Sequence, residues 1–196
     1  MASIKKTITY FEKPGKANTE ETLKLAYEKA QELGISTVVI ASTRGETAKL
    51  AVETMPGLDL VFVTHSEGFR EPDQQEFDPE IRKEVEGKGA RVLTAQHAFG
   101  GVNRAIRQSL GGIEPDEIIA NTLRRFGQGM KVVFEIALMA ADAGLVKCSQ
   151  PAVVVAGTGR GADLGVVMYP ANAQRFFDLK MVEVFCMPAP GHPGFS

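Results

Sequence analysis

The sequence predicts an α/β protein with a largely parallel sheet and helices on the faces of that sheet. Three observations support this prediction: short β-branched runs alternate with amphipathic segments, glycine or capping residues separate them, and the first half repeats strand, helix, strand, helix, strand. A chain of 196 residues with 44% hydrophobic residues can bury a substantial core. We therefore predict that residues 1–196 form a single domain.

The first half of the chain supplies three predicted strands and two predicted helices. One helix begins after Asn18 and ends at Gly34, with apolar residues at spacings of three and four. Asn18 and Glu21 fit the spacing of a capping box at its start. A second helix is expected at about 44–55, where a Pro-Gly pair ends it. The predicted strands lie at 7–11, 36–41 and 58–64.

The second half begins with a polar loop and then returns to regular elements. Asp78 is expected to cap a short helix that opens at Pro79. Residues 130–144 should form a buried helix, because the apolar run is too long for an average strand and ends in glycine. Only residues 157–163 separate two later strands, which is too short for a parallel crossover, so these strands should be antiparallel. The other predicted elements are helices at 100–112 and from 115, and strands at 90–95, 151–156, 164–170 and 180–188.

The composition argues against several classes of protein. The formal net charge is -2 and the isoelectric point is about 6.0, without a basic stripe, so nucleic acid is not an expected partner. The start of the chain has no apolar region typical of a signal peptide, and the apolar run near 132–146 is too short and too charged to span a membrane. We therefore expect a cytoplasmic protein. Cys148 and Cys186 lie far apart and the histidines are scattered, so no metal site is predicted.

The segment STRGETA, residues 42–48, lies where a predicted strand passes into a helix. Thr43 and Glu46 fit a capping box, which would stabilise the helix by about 1 kcal/mol. The cap does not account for Gly45, since glycine weakens a helix but lets a ligand approach the backbone. Free N–H groups, the helix dipole and Arg44 would attract a phosphate. Both interpretations are open from this segment alone. Its candidate ligand-binding residues are Ser42, Thr43, Arg44, Gly45 and Thr47.

A glycine-rich segment, GTGRGAD, joins the two antiparallel strands. Its spacing, and the strand that follows it, differ from the dinucleotide-binding fingerprint. The segment can be a flexible turn, or its glycines can let backbone N–H groups and the Arg160 guanidinium face one anion. Its candidate residues are Gly157, Thr158, Gly159, Arg160 and Gly161.

Other polar residues also follow predicted strands. In open α/β sheets, ligands bind beyond the carboxyl ends of the strands where strand order reverses, so these two segments and a loop at 12–21 could converge. His65 and His97 could reach the same edge, although a lone histidine is more often structural. Glu135 lies in an apolar run and must be paired, protonated or bound to a ligand, and we favour a structural partner such as a helix cap or an arginine. Asp142 lies on the same helix face, about 10 Å away. No catalytic residue is identified.

Several segments resemble the C-terminal α/β domain of pyruvate kinase. VVIASTRGETAKLA resembles the part of that domain in which a T-x-S-G-x-S loop joins strand to helix, and VVVAGTGRGADLGVVMYP resembles its glycine loop between the last two strands. Over nearly its whole length the chain is similar to stand-alone archaeal and bacterial proteins of this group. The segments that carry this similarity are YFEKPGKANTEETLKLA, QHAFGGVNRAI, EIALMAADAG and GRGAD.

This resemblance implies a three-layer α/β fold with a mixed sheet of order 3-2-1-4-5, whose last strand is antiparallel. It also implies that the barrel carrying the pyruvate kinase catalytic site is absent. In regulated pyruvate kinases the two loops hold the phosphates of a sugar-bisphosphate effector, and members of the stand-alone group bind flavin mononucleotide (FMN). Arg44 and Glu46 flank Gly45 here, which favours a single phosphate over a sugar bisphosphate.

Two functions from different classes follow from these observations. The first is binding of a phosphorylated ligand, FMN, without pyruvate kinase activity, and the second is an FMN-dependent oxidoreductase of unknown substrate. No residue identifies a substrate or proton donor, so binding ranks first. We also expect a homo-oligomer, because the helix at 130–144 and the Pro/Gly-rich tail at 186–196 supply more apolar surface than one thin sheet layer covers. The tail itself should be frayed or lie on a partner.

Overall fold

The computed structural model describes residues 3–191, which form one seven-stranded sheet and the helices that pack on it. None of the helices in this part of the chain combines the length and apolarity that a membrane span requires. The strands are β1 (Thr9–Phe11), β2 (Thr37–Ala41), β3 (Asp59–Val63), β4 (Arg91–Leu93), β5 (Ala152–Ala156), β6 (Leu164–Tyr169) and β7 (Lys180–Pro188). The helices are α1 (Thr19–Leu33), α2 (Glu46–Thr54), α3 (Pro79–Gly87), α4 (Val102–Leu110), α5 (Pro115–Arg124) and α6 (Gln128–Asp142), with 3₁₀ turns at Lys16–Asn18 and Ala173–Asp178.

The strand order across the sheet is β1-β7-β6-β5-β2-β3-β4. Strands β5, β2, β3 and β4 are parallel, whereas β6 is antiparallel to both β5 and β7. When β2 to β6 are renumbered 1 to 5 in chain order, the run β4-β3-β2-β5-β6 becomes the order 3-2-1-4-5. The last strand of this run, β6, is the antiparallel one. The predicted α/β class with a mixed sheet is therefore confirmed, and the short connection at 157–163 makes the antiparallel turn as expected.

Strand β1 lies at the outer edge of the sheet, beside β7, although it precedes β2 in the chain. It is parallel to β7, and two antiparallel steps relate β7 to β5, so β1 runs in the same direction as the four parallel strands. Its end therefore opens on the same side of the sheet as theirs. We call this side, where the loops after β1, β2, β3, β4 and β5 meet, the carboxyl edge.

Helices cover both faces of the sheet, which gives the expected three layers. On one face, Val38 and Ile40 of β2 belong to a buried cluster with Leu23 of α1. On the other face, Val39 belongs to a second cluster with Val133 of α6, the buried helix that the apolar run predicts. Because β2 is buried on both faces, it is a continuous β-branched run rather than an alternating one.

Two predicted helix termini are confirmed. Gly34 ends α1 with a φ of 65°, a left-handed conformation that glycine adopts without strain. Asp78 caps α3, and its Oδ1 accepts hydrogen bonds from the N–H groups of Glu80 at 2.8 Å and Ile81 at 3.1 Å. The helix therefore begins at Pro79, as predicted.

Neither of the two predicted capping boxes forms. Asn18 has helical backbone angles, and its Nδ2 donates to a loop carbonyl at 2.7 Å instead of its oxygen accepting from α1. The cap position of α2 is Gly45 and not Thr43, because the chain turns there with a φ of 99°. The side chain that accepts a hydrogen bond from α2 is Ser42, whose Oγ lies 3.3 Å from a helix nitrogen. Capping spacing alone does not fix these backbone angles.

Of the tail expected at 186–196, residues 186–188 belong to β7, and residues 192–196 lie outside the described residues. In the part that is described, Ala189 donates its N–H to the carbonyl of Phe11 at 2.8 Å. The chain after β7 therefore continues for at least one residue beside β1.

Candidate functional site

A cavity of about 530 Å³ opens at the carboxyl edge, beside the ends of β2, β3 and β5. The chain leaves β2 toward β3 and β4 on one side and returns to β5 on the other, so the cavity lies where strand order reverses. Its volume is within the range of roughly 300–1,000 Å³ that small-molecule sites have. Three apolar side chains of α6, Val132, Ile136 and Met139, line part of it.

The structure brings both predicted segments and both predicted histidines to this cavity. Gly45 and Thr158 are the two candidate residues that do not line it. The candidates that do line it are Ser42, Thr43, Arg44, Thr47, His65, His97, Gly157, Gly159, Arg160 and Gly161.

The start of α2 leaves several backbone donors free. Within residues 3–191, the N–H groups of residues 43–47 donate to no acceptor, whereas the next N–H donates to Ser42. The partial positive charge of the helix terminus falls at the same place. Arg44 adds a full charge and has no carboxylate within 4.0 Å in the described part of the chain. This terminus can therefore hold an anion.

Glu46 brings a negative charge to the same terminus, but a neighbouring loop neutralises it. Its Oε2 lies 2.9 Å from Nζ of Lys16, in the loop after β1. The hydrogen bond to Lys16, together with the lysine charge, lowers the pKa of the Glu46 carboxyl. The loop at 12–21 thus reaches the cavity rim through Lys16, and its role there is to pair with Glu46.

Gly45 is explained by packing within the protein. Its φ of 99° is in the left-handed region, where residues with a side chain are strained. A Cβ at this position would lie 2.8 Å from Cγ2 of Ile81, so helix α3 approaches the backbone closely. The expectation that this glycine makes room for a ligand is therefore wrong, because α3 takes that space.

The glycine segment at 157–163 is held by tight loop packing and is not a free turn. A Cβ on Gly157 would lie 2.4 Å from the carbonyl oxygen of Gly161, and one on Gly161 would lie 2.3 Å from Oγ1 of Thr19. Oδ2 of the buried Asp163 accepts the N–H groups of Gly15 at 2.7 Å and Thr158 at 3.2 Å, and burial raises the pKa of this carboxyl. The segment is thereby anchored to the loop after β1, with Arg160 at the cavity.

Positive charge predominates in the cavity of a protein whose formal net charge is -2. All three carboxylates of the lining are in ion pairs, which join Glu46 to Lys16, Glu76 to Arg70 and Glu135 to Lys131. Within residues 3–191, four arginines of the lining have no carboxylate within 4.0 Å. These arginines are Arg44, Arg104, Arg124 and Arg160. The cavity therefore favours anionic ligands.

Glu135 is buried beside the cavity and has partners for both oxygens. Oε2 pairs with Nζ of Lys131, one helical turn earlier, and lies 3.4 Å from Nδ1 of His97. Oε1 accepts the N–H of Phe99 at 3.0 Å. Burial opposes the charge, but His97 and Lys131 outweigh it and lower the pKa of Glu135 to about 2. The structural partner expected for Glu135 exists, and it is a lysine and a histidine instead of a cap or an arginine.

A second histidine–carboxylate pair faces the same cavity. Nδ1 of His65 lies 2.6 Å from Oε2 of Glu76, whose other oxygen lies 3.0 Å from Arg70. Burial lowers the pKa of His65, and Glu76 only partly opposes this effect. The ring of Phe69 contacts both histidines, tilted at 4.1 Å from His65 and stacked at 5.0 Å on His97, and the two histidine rings lie 5.4 Å apart. A neutral imidazole held by a carboxylate can accept a proton at its other nitrogen.

Sequence patterns missed about half of the lining. Most of the missed residues come from the polar loop after β3 and from α4 to α6, where no motif marks them, and they include Phe69, Glu76, Arg104, Arg124 and Lys131. The spacing of Lys131 and Glu135, four residues apart on one helix, was the only signal available for the buried pair. Asp142 lies outside the cavity lining and instead accepts the N–H of Ala173 at 3.0 Å. No group of three or more candidate metal ligands occurs in residues 3–191.

A model of the family described as pyruvate kinase, alpha/beta domain, matches residues 20–168, a segment that contains every residue of the cavity lining. A crystal structure of a pyruvate kinase from Cryptosporidium parvum is 16% identical over 78% of this chain, with a TM-score of 0.42. The pyruvate kinase of the same organism in complex with ADP is 16% identical over 85% of this chain, with a TM-score of 0.39. The chain spans 23% of the length of each of these two proteins.

Proposed function

The chain belongs to the family of the pyruvate kinase α/β domain, and we propose that it binds a phosphorylated small molecule, FMN, in the cavity at the carboxyl edge. The observation that carries this proposal is the convergence of Arg44, Arg160 and the free backbone N–H groups of residues 43–47 on one cavity. A phosphate satisfies both kinds of donor at once, because it offers several acceptor oxygens and a double negative charge.

The phosphate is held at the start of α2. The N–H groups of residues 43–47 supply donors, and the hydroxyl groups of Thr43 and Thr47 lie in the same lining. Arg44 and Arg160 approach the cavity from two separate loops and add charge. Helix N-termini of this kind bind phosphate in many unrelated proteins.

The rest of the cavity fits the flavin better than a second phosphate. The faces of a flavin are flat and apolar, and Val132, Ile136 and Met139 of α6 offer matching apolar contact. The stacked rings of Phe69 and His97 offer aromatic contact as well. When bound, FMN supplies redox chemistry, while the residues of the chain bind it, orient it and limit its access to water.

The match to one domain of pyruvate kinase also leads us to propose that the chain lacks pyruvate kinase activity. The pyruvate kinases that it resembles are about three and a half times as long, since 78–85% of this chain covers 23% of their length. We therefore expect the chain by itself not to transfer a phosphoryl group from phosphoenolpyruvate to ADP. A coupled assay that detects pyruvate formation by the pure protein would contradict this expectation.

A second candidate function is an FMN-dependent oxidoreductase, and His65 is the residue that favours it. Its imidazole is neutral near pH 7, is oriented by Glu76 at 2.6 Å and lies in the cavity lining, as a proton acceptor requires. Reduction of the bound flavin by NAD(P)H, followed by turnover of an acceptor, would establish this function. Binding of FMN without either step would leave the first candidate.

The direct test of the proposal is to identify the ligand and then to titrate it. Denaturation of the purified protein should release a compound with the absorbance spectrum and mass of FMN. Replacing Arg160 by glutamine should weaken FMN binding about tenfold or more, as the loss of one charge-assisted hydrogen bond to phosphate predicts. Arg175→Gln is the matched control, because Arg175 is 74% exposed and pairs with Asp178 outside the cavity lining. Equal FMN affinity of both variants would count against the proposed site.

A further inference from the structure

Two arginines of the cavity come from helices that carry none of the predicted phosphate ligands. Arg104 lies on α4 and Arg124 at the end of α5, and both line the main cavity together with Lys131 of α6. Both also line a small adjoining cavity of about 50 Å³, which the segments at 42–47 and 157–161 do not reach. Arg104 and Arg124 therefore occupy a different part of the lining from the phosphate-binding loops.

Neither Arg104 nor Arg124 forms a salt bridge within residues 3–191. Two of the three acidic groups that line the adjoining cavity have other partners: Glu117 pairs with Arg107, and Asp116 accepts a hydrogen bond from Asn103 at 2.8 Å. Glu114 also lines this cavity, but no carboxylate lies within 4.0 Å of Arg104 or Arg124.

Neutral contacts hold both guanidinium groups in place. Arg104 lies 4.8 Å above the ring centre of Phe69, and Arg124 donates to the side-chain oxygen of Asn121 at 2.8 Å. Each guanidinium has five N–H donors, so most remain available. Lys131 lines the same cavity; burial lowers its pKa, Glu135 opposes this effect, and the charges of Arg124 and Arg104 add to it.

We propose that Arg104 and Arg124 form a second anion subsite, which binds the carboxylate of a small organic acid while FMN occupies the rest of the cavity. The planar fork of a guanidinium matches a carboxylate, and two such groups from different helices can hold it from two sides. The inference rests on the proposed function, because FMN carries one phosphate and leaves this subsite free for a separate acid. It defines carboxylic acids as the substrate class if the protein is an oxidoreductase.

The test uses malonate as the probe and arginine side-chain NMR as the readout. Malonate is titrated at constant ionic strength into the ¹⁵N-labelled full chain, first without FMN and then with saturating FMN. We expect the Nε–Hε signals of Arg104 and Arg124 to shift in both titrations. The Arg104→Gln/Arg124→Gln double variant should bind malonate at least about tenfold more weakly. Its FMN affinity should change less than about threefold.

Arg125→Gln is the matched control, because Arg125 is the exposed neighbour of Arg124 and lies outside the linings of both cavities. Equal malonate affinity of the wild type and the double variant would overturn the inference. Competition between malonate and FMN would also overturn it, because the acid would then occupy the phosphate position. The absence of malonate binding at about 100 mM would overturn the inference as well, because a site with a millimolar dissociation constant is saturated at that concentration. If malonate shifts the two arginine signals but FMN does not bind, the subsite is supported and the proposed function fails.

Discussion

Replacing Glu135 by glutamine tests whether the buried ion pair beside the cavity is formed as described. The glutamine keeps the size of the side chain but cannot carry the charge that faces Lys131 and His97. The wild-type carboxyl has its pKa lowered from 4.5 to about 2 in the folded protein. The native state therefore stabilises the ionised form, and the variant loses this stabilisation.

The expected loss follows from the pKa of Glu135. A tenfold difference in proton affinity corresponds to about 1.4 kcal/mol, so a pKa lowered from 4.5 to about 2 corresponds to about 3 kcal/mol of stability at pH 7. Breaking a buried pair by removing one partner typically costs about 3–5 kcal/mol, because the other charge stays buried. Lys131 would be that charge, since its side chain is only 7% exposed.

Urea denaturation at pH 7 measures this loss directly. We expect Glu135→Gln to lower the free energy of unfolding by about 3 kcal/mol, and a second change, Lys131→Met, to restore at least about 1 kcal/mol of it. The control is Glu12→Gln, because Glu12 is exposed and lies outside the cavity lining. As the pH falls, the wild type should lose the same contribution between pH 4.5 and about 2, since its folded pKa is the lower one. A change below about 0.5 kcal/mol for Glu135→Gln would refute the pair, because it would equal that of a surface substitution.

Three further expectations follow from other parts of the structure. Gly45→Val should destabilise the fold, in contrast to the small effect that helix propensity predicts, because its Cβ would lie 2.8 Å from Ile81 at a φ of 99°; a thermal scan matching the wild type would contradict this. The lowered pKa of His65 contributes stability above pH 6.5, and this stability is lost as the pH falls through the pKa of the folded state. His65→Gln should therefore flatten the decline in unfolding free energy between pH 7 and 5, and equal slopes for the variant and the wild type would contradict this contribution. We also expect a homo-oligomer. Because α6 is covered within the chain, the contact surface should include the exposed apolar residues Leu110 and Ile113 at the α4–α5 turn. A monomeric mass from light scattering at micromolar concentration would contradict this expectation.

Most of the fold follows from local patterns. Fully buried strands such as β2 give continuous β-branched runs, and Gly34 and Asp78 mark helix ends because their roles depend on local backbone geometry. The position of β1 beside β7 could not be predicted, because a short strand carries no signal for its neighbour. The capping boxes failed for a related reason, since residue spacing does not specify whether the chain turns at Thr43 or at Gly45.

The cavity was predictable only where it is built from loops that follow strands. Hydroxyl groups and glycines after β2 and β5 stand out against apolar strands, so those residues were found. Arg104 and Arg124 lie on amphipathic helices, where an arginine ordinarily belongs to a solvated face, and only the packing of the helices brings them to the cavity. The glycines were noticed for the wrong reason at Gly45 and Gly161, where contacts within the protein leave no room for a side chain.

The measurement that tests the central claim most directly is the affinity of the protein for FMN compared with riboflavin. The two compounds share the flavin and differ in the phosphate that the start of α2 is proposed to hold. We predict that FMN binds about 100-fold more tightly or better, which corresponds to roughly 2.7 kcal/mol from the phosphate. Inorganic phosphate at constant ionic strength should then compete with FMN but not with riboflavin. Equal affinities for FMN and riboflavin would show that the phosphate is not held, and would contradict the proposed site.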